Sequence, residues 1–192
     1  MRQLVVATRN GGKIKEIAAL LQDFELLSLD DIGFTHEIDE PFQTFEENAL
    51  AKAATVSSFC NLNVVADDSG ICVTALDEKP GVDSAFFSGE RDDEKNLQKL
   101  LHELEGATDR SAFYKAVLCL IWDGREYFFE GICKGTIAPE KSGSGGFGYD
   151  PIFIPDGYTE SFGSLPPEIK NKISHRAIAV QNMVAFLNAL SA

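Results

Sequence analysis

Apolar residues recur along this chain in two rhythms, and the switches between them mark out its elements. Residues 3–8 (QLVVAT) are a short run rich in branched side chains, which predicts a buried strand. Asn10-Gly11-Gly12 ends it as a turn, and Lys13–Gln22 changes to helical spacing with Ile14, Ile17, Ala18 and Leu21 on one face. A second strand is predicted over 24–29, followed by an acidic, irregular stretch over 34–44. The next helix runs from Phe45 to Phe59 with Phe45, Ala49, Ala53 and Val56 as its apolar stripe. Thr44, with Glu47 three residues on, has the pattern of a capping box at its start.

Asn63–Ala66 predicts a strand closed by Asp67-Asp68-Ser69-Gly70, with Ile71–Ala75 extended beyond it. Residues 77–92 are turn-rich, and Asp92–Glu105 reads as an exposed amphipathic helix. Two long strand-like runs, Ala112–Trp122 and Glu126–Ile137, flank Asp123-Gly124, a strong hairpin signal. Then come a glycine-rich loop (Ser142–Asp150), a short strand (Pro151–Ile154) and a polar segment with several prolines over 155–173. Ser174 is placed to cap a last helix that reaches about Leu190 and buries Ile178, Met183, Phe186, Leu187 and Leu190. With no repeat or linker, the pattern predicts one mixed α/β domain over residues 1–192, built round a central sheet with long antiparallel strands.

Charge changes this picture more than composition does. The apolar fraction of 44% is ordinary, but 30 acidic against 17 basic residues give a net charge of −13. Such a surface disfavours nucleic acids and anionic membranes as partners. An anionic substrate then needs a local island of positive charge, a metal ion, or both. No stretch is long and apolar enough to span a bilayer and no secretory signal is seen, which predicts a soluble, cytoplasmic protein. Cys60, Cys72, Cys119 and Cys133 show no Cys-x-x-Cys spacing and read as reduced, mostly buried thiols.

Five segments carry candidate chemistry. Thr8-Arg9-Asn10-Gly11-Gly12-Lys13 joins a strand to a helix N-terminus, whose amide groups and dipole suit a phosphate. It is not a Walker A loop, because Ala7 and Ile14 stand where that pattern needs Gly and Ser or Thr, and a plain turn with a solvated lysine fits it equally well. Asp67-Asp68 follows an apolar run, so alternation puts only one of the two on any one face. That carboxylate is placed to hold Mg²⁺ or to take a proton from water, or simply to close a turn. Asp39-Glu40 offers a second carboxylate, with Glu47 and Lys52 on the helix after it. Gly143–Pro151 carries aromatics able to stack on a purine and an Asp able to accept a base N–H. Lys170-Asn171-Lys172-Ile173-Ser174-His175-Arg176 gathers cations at a helix start, where the dipole disfavours them, which points to an anion or carbonyl ligand.

TRNGGK, TFEENA-x-x-KA, ADDSG, GGFGYDPIF and NKISHR occur in this order over essentially the whole chain. The set resembles the inosine/xanthosine triphosphate pyrophosphatases. That resemblance implies a long twisted central mixed sheet flanked by helices, in two lobes with an active-site cleft. It also implies a Mg²⁺-dependent homodimer that hydrolyses ITP, dITP and XTP to the monophosphate and pyrophosphate, cleansing the nucleotide pool before incorporation into DNA and RNA. Carried over by motif, Thr8, Arg9, Asn10, Gly11, Gly12 and Lys13 bind the triphosphate. Glu40 and Asp68 hold Mg²⁺, and Asp68 is the proton acceptor. Ser69 and Lys52 contact the nucleotide, while Phe147, Gly148, Tyr149, Asp150, Lys170, His175 and Arg176 form the base pocket and its neighbourhood. The sequence departs from the family in Arg9, where Gly is usual, in Asp39-Glu40-Pro41, and in Leu165-Pro166-Pro167. Two rival readings are a nucleotide-binding regulator without turnover and a hydrolase of pyrimidine or modified nucleotides.

Overall fold

A computed structural model describes residues 2–190. Its strands are β1 (Arg2–Val6), β2 (Phe24–Leu27), β3 (Val64–Val73), β4 (Ser111–Trp122), β5 (Arg125–Ile137) and β6 (Phe153–Pro155). The helices are α1 (Gly11–Leu20), α2 (Phe45–Cys60), α3 (Asp93–Glu103), α4 (Pro167–Ile173) and α5 (His175–Ala189). The strands form one mixed sheet in the order β2-β1-β3-β4-β5-β6. β1 runs parallel to β2 and β3, and β5 runs antiparallel to β6. Asp123 and Gly124 take φ of 48° and 75°, both positive, as the two-residue hairpin signal requires.

The chain forms two compact units. The first holds the residues up to Asp68, Ala116–Gly131, and those from Arg176 on; the second holds Ser69–Lys115 and Ile132–His175. In the first, Leu4, Val6 and Val65 pack with Ile17 of α1 and Leu21 just past its end, Leu118 and Leu120 of β4, and Val180, Met183 and Leu187 of α5. In the second, Ile71 and Val73 pack with Leu97 and Leu100 of α3 and with Tyr114, Ile137, Tyr149, Phe153 and Phe162. The four cysteines are free. Burial pushes the thiol of Cys72 up to about 11 and those of Cys119 and Cys133 up to about 12, so they are inert apolar filling.

Several predicted elements need correction. Asp67-Asp68-Ser69-Gly70 does not close a strand; it lies inside the continuous strand β3. Gly70 is there because a Cβ would lie 2.0 Å from the Gly81 carbonyl oxygen. The polar, proline-containing segment 155–173 ends in a helix not foreseen there: Pro166 and Pro167 open α4, with Pro167 in its first turn, where a missing N–H does no harm. The final helix buries Ala177, Ala179, Val180, Met183 and Leu187, while Ile178 is only half-buried and Leu190 is exposed beyond its end. The short strand starts at Phe153, because Asp150–Ile152 is a 3₁₀ turn.

Candidate functional site

The first unit collects its polar side chains around the two aspartates of β3. Both are buried, and strand alternation sends them to different partners. Asp67 accepts from Nε and Nη2 of Arg176 at 3.2 and 3.1 Å and lies 2.8 Å from the Lys13 ammonium. Arg176 also pairs with Glu16 of α1. Burial alone would raise the Asp67 carboxyl, but the charges of Arg176 and Lys13 outweigh it and hold it well below the usual carboxylate range. Burial lowers Lys13, and Asp67 only partly offsets this.

Asp68 faces α2. The Lys52 ammonium donates to Asp68 Oδ1 at 3.0 Å and to Glu40 Oε2 at 2.9 Å, so two carboxylates converge on one cation. Asn48 Nδ2 donates to Asp68 Oδ2 at 3.3 Å. Burial pushes the Asp68 carboxyl up to about 6 despite Lys52, with the nearby Glu40 charge adding to the rise. In Glu40 the balance goes the other way: burial raises it, but Lys52 outweighs burial and the carboxyl is lowered. Burial would lower Lys52, and Asp68 with Glu40 overcomes this and raises it.

The turn before α1 is held by Asn10, whose side chain accepts from the amides of Gly12 at 2.9 Å and Lys13 at 3.2 Å. Asn10 is therefore the N-cap of a helix that starts at Gly11, and it already engages two of the amides expected to greet a phosphate. Asn10 N–H in turn donates to Thr8 Oγ1 at 3.1 Å. Arg9 turns away to Asp30 at 3.1 Å and to the Phe34 carbonyl at 2.6 Å.

The second unit gathers the other candidates in an aromatic setting. Asp150 Oδ2 accepts from the Lys170 ammonium at 2.5 Å and from the Phe147 amide at 2.8 Å. The Lys170 ammonium lies 4.6 Å from the Phe147 ring centroid and 5.7 Å from that of Phe162. Gly146 takes φ of 73°, and a Cβ there would meet Asp150 Oδ2 at 2.1 Å, so the loop closes on the carboxylate only with glycine. Gly148 N–H donates to Asp93 at 2.9 Å. Tyr149 is buried with its hydroxyl donating to the Ser84 carbonyl at 2.8 Å, whereas Phe147 is half-buried. His175 lies flat against Tyr114 of β4, centroids 4.5 Å apart and planes at 7°.

The structure thus brings Lys13, Lys52, Glu40, Asp68 and Arg176 together in one unit, and Phe147, Tyr149, Asp150, Lys170 and His175 together in the other. Ser69, half-buried, follows Asp68 on β3. Arg176 pairs with Asp67 and Glu16 within the first unit. Sequence reasoning missed Glu16, Asn48 and Tyr114. Asn48 left a signal, since Thr44, Asn48 and Lys52 repeat at four-residue spacing beside an apolar stripe.

The donor set fits Mg²⁺. Glu40 and Asp68 present hard oxygen donors to one point where a cation already sits, the Lys52 ammonium. Among the described residues no three His, Cys, Asp or Glu side chains form a closed cage. Mg²⁺ needs none, because it takes one or two carboxylates and keeps water and phosphate in its other positions.

A family model of the Ham1 family matches residues 4–186. The chain belongs to the Ham1 family. Among relatives, a Porphyromonas gingivalis protein named dITP/XTP pyrophosphatase is 46% identical over 190 residues, covering 97% of this chain and 98% of its own. The solved structure of the Staphylococcus aureus Ham1 protein aligns with a TM-score of 0.89 at 37% identity, over 98% of this chain and 99% of that one. A HAM1 protein from Coxiella burnetii aligns with a TM-score of 0.90 at 34% identity, over 98% and 100%. The mixed sheet with flanking helices is therefore the Ham1 fold. Among the described residues no helix is long and apolar enough to cross a membrane.

Proposed function

We propose that this chain is a nucleoside triphosphate pyrophosphatase that hydrolyses non-standard purine nucleotides, dITP, ITP and XTP, to the monophosphate and pyrophosphate with Mg²⁺. The observation that carries this reading is the convergence of Glu40 and Asp68 on one cation, in a chain whose relatives are named dITP/XTP pyrophosphatase. Mg²⁺ held by Glu40 and Asp68 would neutralise charge on the triphosphate.

Asp68 accepts the proton of a water that attacks the α-phosphorus in line with the leaving pyrophosphate. Lys13 and Lys52 add positive charge where the leaving group gains negative charge. Thr8–Lys13 lines the phosphate end, with Asn10 fixing the turn. His175 donates towards the C6 oxygen of hypoxanthine or xanthine, a contact that the amine of adenine leaves unmatched. Phe147 offers a ring face to the base. The working state is a cytoplasmic homodimer that removes these nucleotides before they enter DNA and RNA.

The test is purified protein with Mg²⁺ and a panel of ITP, dITP, XTP, GTP and ATP, with products identified. Pyrophosphate and monophosphate from the first three, at rates well above ATP, are expected. Orthophosphate as the product, or equal rates on ATP and ITP, would overturn the reading.

A further inference from the structure

Tyr114 belongs to no motif singled out in the sequence, yet one side chain of β4 touches two members of the aromatic group. Its ring stacks on His175 at 4.5 Å with planes 7° apart, and its hydroxyl lies 3.5 Å from Asp150 Oδ1. The ring is itself wedged in place. Phe153 meets it edge-on at 4.7 Å, Phe162 lies tilted at 6.5 Å, and the residue is buried. β4 supplies a rigid backbone beneath it.

We infer that Tyr114 is a positioning residue for base selectivity: its buried ring fixes the plane of the His175 imidazole, with its hydroxyl only at the edge of reach of the Asp150 carboxylate. The inference rests on the proposed function, in which His175 meets the C6 oxygen of the base. An imidazole N–H donates within the plane of its ring, so fixing that plane fixes the direction of the donor. Of the two links, the stack is the stronger. Parallel rings at this distance make a favourable aromatic pair, whereas a 3.5 Å contact is at the limit of a hydrogen bond. Asp150 also has Lys170 and the Phe147 amide to hold it. His175 has the Tyr114 ring as its flat support.

Tyr114→Phe keeps the ring and removes the hydroxyl; Tyr114→Met keeps bulk and removes the plane. In steady-state kinetics with ITP and ATP, Tyr114→Phe should stay within about threefold of the parent. Tyr114→Met should raise KM for ITP about tenfold, the upper range for an aromatic pair, with kcat within about twofold. Its ITP-over-ATP preference should shrink by the same factor. Proton NMR adds a readout independent of turnover. The chain has 3 histidines, so the His175 ring resonances are assigned by their loss in His175→Asn. In the parent and in Tyr114→Phe they should carry the upfield ring-current shift of a stacked ring, and in Tyr114→Met they should lose it.

A Tyr114→Met variant that melts earlier but keeps the ITP-over-ATP ratio would overturn the inference and leave a merely structural tyrosine. So would a loss in kcat at unchanged KM. If Tyr114→Met does not fold, an unshifted His175 resonance in the parent overturns the inference, and a Tyr114→Phe variant with a shifted resonance and unchanged preference supports it. A parent that does not prefer ITP sinks the proposed function instead, and that arm is read before any variant is made.

Discussion

Two groups of buried polar side chains in this molecule are held by opposite means. Around β3, charge answers charge: Asp67 sits between Arg176 and Lys13, and Lys52 sits between Asp68 and Glu40. Around Asp150 the ion pair with Lys170 is set among the rings of Phe147, Phe162 and Tyr114. In the proposed function the first group handles phosphate and metal, where charges must be ready and exchangeable. The second then reads a flat, nearly neutral base, where planes and a few donors decide. Substitutions should therefore act on turnover and stability in the first group, and on substrate choice in the second.

The largest expected effect is on turnover. Asp68→Asn keeps the shape, and Asn48 and Lys52 remain beside it, so the protein should fold. If Asp68 is the proton acceptor proposed above, its removal should lower kcat by about 10²- to 10⁴-fold. Near-normal turnover in a folded variant would show that another group does this work.

Next comes stability. Arg176→Met takes the guanidinium from two carboxylates, Glu16 and the buried Asp67, of which Asp67 keeps Lys13 at 2.8 Å. Breaking such a buried pair should cost about 3–5 kcal/mol in urea unfolding. Lys170→Met takes the ammonium from one carboxylate, Asp150, which keeps the Phe147 amide and the Tyr114 hydroxyl, so a smaller loss of about 1–3 kcal/mol is expected. Equal losses would erase the contrast between the two groups.

A pH series sharpens the comparison within the charged group itself. Both aspartates start from an ordinary value of 3.8. Asp67 is held below it when folded, so its stabilisation is fully present above about 4 and is lost as pH falls below that. Asp68 is pushed up to about 6 when folded, so the folded state holds its proton more tightly. Its contribution therefore weakens as pH rises from about 4 to about 6. In metal-free protein, Asp67→Asn should flatten the acid limb and Asp68→Asn the limb between pH 4 and 6. Identical pH profiles for the two variants would contradict the opposed environments.

How much of this was legible in the sequence depends on how local each cause is. Thr44 caps α2 through the Glu47 amide at 3.2 Å, and Asp123-Gly124 turns the β4–β5 hairpin, because both are settled by residues within a few positions. The alternation of Asp67 and Asp68 was legible for the same reason. The continuity of β3 was not. Asp, Ser and Gly favour turns when nothing else acts on them, and what keeps these two aspartates in a strand is cations from α1, α2 and α5. The burial of Arg176 was hidden too, since its partner Glu16 is 160 positions away. Cations at the start of α5 looked like a cost waiting for a ligand, but for Arg176 the carboxylates of Asp67 and Glu16 meet that cost from inside the chain. Tyr114 left no local trace, because its partners Asp150 and His175 lie far along the sequence.

The smallest effect tests whether the turn before α1 is scaffold or site. Asn10 caps α1 with its side-chain oxygen, so Asn10→Ala should cost about 1 kcal/mol in unfolding. Asn10→Ser retains an oxygen able to cap and should recover most of that stability. If Asn10 serves only the helix, the KM for nucleotide recovers with it. If Asn10 also touches the triphosphate, Asn10→Ser restores stability while KM stays raised, because a serine hydroxyl reaches less far than an amide and has no N–H₂ to offer. The Ser variant therefore separates two roles that the Ala variant confounds. It also extends the comparison, because Asp150 likewise accepts a loop amide, that of Phe147, while meeting a cation. A side chain that both fixes its loop and faces the ligand would then be common to the charged and the aromatic group alike.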